Sequence, residues 1–144
     1  MSTPIRSLVE DRLAAYITPL LTGVAIHKGV TDEERVLPIV IIHCNNANKP
    51  SMFGAGNLGN YKVGVTVYVY SSADDGTLQD HRTRVESVEA LLADQEAIKL
   101  AWGDAETYGT LYSMWVETDN EGMQGRKYGN AISYTAFVCM PTAT

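Results

Sequence analysis

The chain has 144 residues, 45% of them hydrophobic and 19% charged, with a net charge of −6 and a pI near 4.9. A length of this order fits one domain, 1–144, that buries roughly two thirds of the surface of its unfolded chain without needing a staple. Lysines and arginines are scattered singly or in pairs such as Arg126-Lys127, so the clustered basic stripe that grips duplex DNA by its phosphates is missing, whereas a surface that DNA passes without sticking is compatible with the acidity.

Thr3-Pro4 reads as an N-cap followed by proline at the first helical position, and Ile5, Leu8, Val9, Leu13, Tyr16 and Ile17 recur at helical spacing. This helix is expected to end near Thr18, because Pro19 disfavours helical geometry in the residue before it and Gly23 completes the exit. The Met1 end carries Pro4, Arg6, Glu10 and Asp11 where a signal peptide needs a basic start and an apolar centre, and the longest aliphatic run, Ile39 to Ile42, is too short to span a membrane. VAIHKGV, Val24 to Val30, predicts a strand, TDEER an acidic turn, and Val36 to Cys44 a second strand interrupted only by Pro38, which an edge strand tolerates near its start.

The segment GAGNLG, Gly54 to Gly59, matches the glycine pattern that cradles a pyrophosphate. That pattern has mechanical content only where a strand gives way to a helix whose N-terminus supplies amide donors. Here YKVGVTVYVYS follows, with Val63, Val65, Val67 and Val69 on one face and Lys62, Gly64, Thr66, Tyr68 and Tyr70 on the other, which is the period of a strand. The glycines therefore belong to a strand-to-strand loop from Asn45 to Asn60, and no dinucleotide cofactor is expected. Met52, Phe53 and Leu58 are its larger apolar side chains and its candidate docking residues, the glycines permitting close approach of a partner.

ADDG makes a turn, and Thr77 opens a second helix with Leu78, His81, Val85, Val88, Leu91 and Leu92 on one face. QEAIKLAWGDAE reads as less regular, Tyr108 to Thr118 as a strand, DNEGMQGRK as a turn, and Tyr128 to Met140 as the last strand. The order α-β-β-β-α-β-β predicts an α+β fold, a sheet of about five mostly antiparallel or mixed strands with two helices on one face. The other face is left to water or to a partner, and Lys62, Thr66, Tyr68 and Tyr70 are the side chains suited to line it.

Chemistry is sparse. His27, His43 and His81 share no metal-ligand spacing, and the adjacent His43-Cys44 point to opposite faces of a strand. Ser71, Ser72, Asp74, Asp75 and His81 offer the residue types of a Ser-His-Asp set in the vocabulary of a strand-to-helix turn, without a nucleophile elbow. The pairs Asp32/Glu34, Asp74/Asp75, Asp104/Glu106 and Asp119/Glu121 are expected in solvated loops, where nothing raises a carboxyl pKa for acid catalysis, and 119–122 lacks the alternation of a calcium loop. Cys44 and Cys139 are expected to be reduced, small hydrophobic strand residues. No enzyme activity and no metal is implied.

The opening helix PIRSLVEDRLAAYI, the strand YKVGVTVYVY with the following helix HRTRVESVEALLAD, and the terminal strand AISYTAFVCM, in this order and at this size, resemble the tail terminator proteins of long-tailed bacteriophages, the group of minor tail protein U. That resemblance covers most of the chain. It implies a small α+β virion subunit, assembled in the host cytoplasm into a six-membered ring that ends the tail tube and receives the head-side connector. It implies no catalytic residue and no cofactor, and makes the partners other copies of the chain, the major tail tube protein, the connector or stopper protein, and DNA only as passing cargo. Tyr68, Tyr70, Met123 and Arg126 join the loop residues as expected interface positions. Other neck proteins, for head completion or stopping, are also small acidic α+β chains, and a small-molecule-binding module using the open sheet face is the alternative of another class.

Overall fold

The computed structural model describes residues 4–29, 36–48 and 60–141. Helix α1 spans Ile5–Ile17 and passes into a single 3-10 turn, Thr18–Leu20, where Pro19 is accommodated. The cap position is Pro4, whose ψ of 146° lies outside the helix and which offers no side-chain cap. The helix thus starts one residue later than the Thr3-Pro4 pattern predicts, and Thr3 itself lies outside the described residues. Leu8, Val9, Leu13, Tyr16 and Ile17 are buried, as the spacing requires.

Strand β1 (Ala25–Lys28) pairs parallel to β2 (Ile39–Asn48), β2 antiparallel to β3 (Asn60–Ser72), and β3 to β5 (Lys127–Cys139), which pairs in turn with β4 (Thr110–Gln124). The five-stranded sheet has the order β1-β2-β3-β5-β4 and is mixed, the parallel pair at one edge. Pro38 stands just before β2, and its carbonyl accepts from the Ala25 N–H at 3.1 Å. The proline is compatible with an interior strand because it precedes the ladder.

Strand β2 runs on through Asn45–Asn48, residues expected in a loop. An irregularity between Cys44 and Asn46 resets the register, after which Asn46, Ala47 and Asn48 pair with Gly64, Val63 and Lys62. A Cβ at Gly64 would sit 2.6 Å from Asn46 Nδ2, so the bare glycine admits the asparagine, and Asn45 Nδ2 donates to Thr66 Oγ1 at 3.0 Å. Pairing with a neighbouring strand overrides the weak strand propensity of asparagine.

Helix α2 (Leu78–Ala93) begins with a reciprocal capping box between Thr77 and Asp80. The segment read as irregular forms two further helices, α3 (Gln95–Trp102) and α4 (Ala105–Tyr108), so the described residues hold four α-helices where two were expected. Asp94 caps α3 through the Ala97 N–H at 3.2 Å, and Gly103 (φ 99°) ends it. What holds so short a helix is tertiary: Ile98 and Trp102 are buried, and Trp102 Nε1 donates to the Tyr108 carbonyl at 3.0 Å. Deleting a buried tryptophan side chain costs about 3–5 kcal/mol.

The helices share one face of the sheet. Val40, Ile42, Val63, Val65, Val67, Val69, Ile132, Tyr134, Ala136 and Val138 meet Val9, Leu13, Ile17, Val85, Val88, Leu92, Ile98 and Trp102 in a single core. Glu10 ties α1 to β2 by accepting from the Cys44 N–H at 2.8 Å. Cys44 is buried, with its thiol pushed up to about 11 by desolvation and then by the Glu10 carboxylate. Cys44 and Cys139 are both free: Cys44 lies level with Val65 at mid-sheet, whereas Cys139 pairs with Asn60 at the sheet's end.

Strand β4 extends six residues past Thr118, to Gln124. Gly125-Arg126 alone makes the turn, and Gly125 at φ 61° occupies the first central position, where a two-residue type II′ hairpin needs glycine. Asp119 to Met123, read as turn residues, therefore belong to a strand, because the tip needs only one glycine and the ladder with β5 satisfies the rest.

Candidate functional site

The face of the sheet opposite the helices carries no helix among the described residues. Alternation places Tyr68 and Tyr70 of β3, Gly129 and Ala131 of β5, and Asn120 and Gly122 of β4 on it. The Tyr68 and Tyr70 rings lie parallel, 6.1 Å apart at an interplanar angle of 4°, with Lys127 Nζ 5.4 Å from the Tyr70 ring centre. Burial, and then the neighbouring Tyr68, raise the Tyr70 phenol above its ordinary value. Toward the other end, Trp115 and Phe137 meet at 5.5 Å, and the Trp115 indole N–H donates to Glu117.

In a chain of net charge −6, the regular rows of this face hold Lys62 and Lys127 and no carboxylate. Glu117, at the irregularity of β4, brings a carboxylate against Trp115 beside these rows.

A depression of about 430 Å³ opens between the tyrosine pair and the β4 edge, bordered by Tyr68, Tyr70, Gly122, Met123, Gly129 and Ala131. Small residues make its floor. A Cβ at Gly129 would stand 2.9 Å from the Tyr70 ring, so the tyrosine lies across that glycine, whereas a Cβ at Gly122 would meet nothing within 4 Å.

The structure thus brings three of the expected interface residues, Tyr68, Tyr70 and Met123, to one depression. Met123 is 60% exposed and borders it from the register row of Tyr128, which is the helix-side row. Arg126 stands apart at the hairpin tip and binds Asp74 through Nε at 2.7 Å. Met52, Phe53 and Leu58 lie outside the described residues, as do the glycines of 54–59.

On the helix side, Ser71 and His81 do come together, though not with Asp74 or Asp75. Asn130 Nδ2 donates to Asp119 Oδ1 at 2.7 Å, which leaves Asn130 Oδ1 to accept from His81 Nε2 at 2.7 Å. His81 Nδ1 then accepts from the Ser71 hydroxyl at 2.7 Å, and Ser71 Oγ accepts from Arg84 at 2.6 Å. His81 is fully buried, and every polar atom of its ring has a partner. The chain of donors fixes the Nε2–H tautomer and reads as a structural tie between β3, α2, β5 and β4.

Ser71 and Arg84 also line a groove of about 820 Å³ between the 3-10 turn after α1 and the length of α2, with Leu20, Leu21, Leu37 and Leu91 as apolar walls.

Of the carboxylates expected in loops, Asp74 and Asp75 do lie in the turn before α2, and Asp32 and Glu34 lie outside the described residues. Asp119 and Glu121 are strand residues, Glu121 receiving Arg82 bidentately at 2.9 Å and 2.9 Å. Asp104 precedes α4 and accepts from Thr107 Oγ1 at 2.9 Å, and Glu106 lies within that helix. Glu89 of α2 is hydrogen-bonded to Asp119, and that bond, then desolvation, then the charges of Asp119 and Glu86, push its carboxyl up to about 7. Sequence reading missed this pair because its members are thirty residues apart on elements whose packing no local pattern announces. Among the described residues no group of three or more His, Cys, Asp or Glu stands ready to hold a metal ion, and no helix is long and apolar enough to cross a membrane.

No family model matches the chain, and no curated protein matches it. Among solved structures, a chain from the virion of a native gene transfer agent particle is similar over 88% of this chain and 84% of its own, at 16% sequence identity and a TM-score of 0.46.

Proposed function

We propose that the protein is a non-enzymatic structural subunit of a phage-type virion, a tail terminator whose copies close into a ring on the end of the tail tube and present a surface to the head-side connector. The observation that carries the assembly role is the uncovered sheet face, with two stacked tyrosines, a Trp115–Phe137 contact and no carboxylate in its regular rows, on an otherwise acidic molecule. The specific role comes from the resemblance of the α1, β3–α2 and β5 sequences to that family. A closed ring repeats one heterologous interface, so an open face rich in aromatic residues meeting a differently charged surface of the next copy suits it. In this reading Met52, Phe53 and Leu58 dock on a neighbouring copy or on the tube.

Electron microscopy of virions or tube assemblies is the test. A ring of this protein at the tube end, six copies in number, supports the reading, and a single copy or absence from the tube end overturns it. The groove between α1 and α2 favours one other reading, a small-molecule-binding module, which a monomeric protein with a metabolite bound against Arg84 would establish.

A further inference from the structure

Among the described residues no strand pairs with the outer edge of β4, and the Met114 N–H near its start is met by Gln95 Oε1 at 3.4 Å. Residues 115–124 are exposed throughout, and from Thr110 to Gln124 the strand contains no lysine, arginine or proline, its charged guards being the carboxylates Glu117, Asp119 and Glu121. Two register irregularities, between Leu111 and Ser113 and between Val116 and Thr118, leave Thr118 to Gln124 as the regular stretch. The Gly125-Arg126 turn closes on the Gln124–Lys127 pair. Alternation from a hydrogen-bonded closing pair aims the N–H and C=O groups of Asp119, Glu121 and Met123 away from β5, toward the edge.

The two sides of this edge differ in chemistry. On the helix side stand Glu86, Glu89, Asp119 and Glu121, with Arg82 bonded to Glu121, and Glu89 and Asp119 are close enough to share a hydrogen bond. On the open side, Tyr70, Gly129 and Gly122 form one row across three strands. Tyr70 lies over Gly129, and nothing within 4 Å would meet a side chain at Gly122. A large side chain on a neighbouring strand protects a bare strand glycine, as Tyr70 does for Gly129.

We infer that the Thr118–Gln124 edge of β4 accepts an extended segment of another protein as an added strand, with lysine or arginine on the side of Asp119 and Glu121 and an aromatic or large aliphatic residue beside Gly122. The main-chain bonds to Asp119, Glu121 and Met123 supply attachment, and the alternation of basic and apolar side chains supplies specificity. A second copy of β4 is disfavoured as the occupant, because antiparallel self-pairing sets carboxylates against carboxylates. This inference stands apart from the ring reading.

The test uses the full chain and a blocked heptapeptide alternating lysine with valine around a central phenylalanine. Titration followed by amide NMR is expected to slow exchange at Asp119, Glu121 and Met123 by tenfold or more, with affinity falling as salt rises. Met123→Pro removes an outward N–H and no bond to β5, and is expected to lower affinity at least tenfold, while Met123→Thr retains it. Gly122→Thr, which fills the row from within, is expected to lower affinity for the phenylalanine peptide more than for its alanine analogue. Equal binding of a peptide with glutamate for lysine, unchanged binding by folded Met123→Pro, protection at Ala25 to Lys28 instead, or concentration-dependent protection of the β4 edge in the protein alone would each overturn the inference.

Discussion

Glu89 on α2 and Asp119 on β4 face each other across a hydrogen bond that holds the Glu89 carboxyl near 7, against an ordinary value of 4.5. The sign follows from linkage. A carboxyl whose folded pKa is raised contributes stability that is complete below the unfolded value and is lost as pH rises through the folded one. This pair should therefore weaken the fold between pH about 4.5 and about 7. Urea midpoints measured across that window are expected to fall for the wild type, and Glu89→Gln, which keeps a donor for Asp119 without titrating, should flatten the decline and be the more stable form at pH 8.

The buried tie through His81 makes a second expectation. Removing one member strands its partners, and a buried polar group without a partner costs about 1–3 kcal/mol. Asn130→Ala leaves both His81 Nε2 and Asp119 short of a partner. It should lose about 2–4 kcal/mol by urea denaturation at pH 7. Asn130→Ala within the error of wild type would show that water replaces the amide.

Two glycines at positive φ should respond differently to alanine. At Gly109 (φ 75°) an added Cβ would run into the Cys139 carbonyl, between β4 and the end of β5, whereas at Gly125 (φ 61°) it would enter open space. Gly125→Ala should cost only the backbone strain of a non-glycine residue at that turn position, about 1–3 kcal/mol. Gly109→Ala adds a backbone collision, and a loss above about 4 kcal/mol or failure to fold is expected. Thermal melts of the two variants side by side check the ordering.

On the open face, Tyr70→Ala uncovers Gly129 and dismantles the parallel pair with Tyr68. If the ring reading holds, the variant should remain folded, with near-native far-ultraviolet dichroism, and fail to join tube ends in sedimentation assays. Retained assembly would move the interface off this face.

Much of the fold was legible in the sequence, because the signals were local. The valine alternation of β3 and the stripe of α2 announced their elements and inner faces, and β3 following the 54–59 glycines excluded a nucleotide turn. Where reading failed, the deciding partner was distant. Asn45–Asn48 extend β2 because Gly64 makes room, α3 exists because Ile98 and Trp102 reach the core, and β4 runs to Gln124 because β5 pairs with all of it. The candidate site divided similarly. Tyr68 and Tyr70 were readable as a face, whereas the bare row at Gly122 and the Glu89–Asp119 pair depend on cross-strand register and helix docking.

The order of strands has a bearing on how the chain is made. β5 follows β4 in sequence yet lies between β3 and β4, so one edge of residues 60–72 finds its partner only in residues 127–139. During synthesis from the N-terminus, one edge of β3 waits bare and β4 has no sheet to join until the closing strand has emerged. Pairings of such separation are slow to form and leave apolar edges open to chance association meanwhile. The finished sheet is locked from its centre outward by the segment that arrives last, and nascent chains stopped before Lys127 should depend on chaperones to stay in solution.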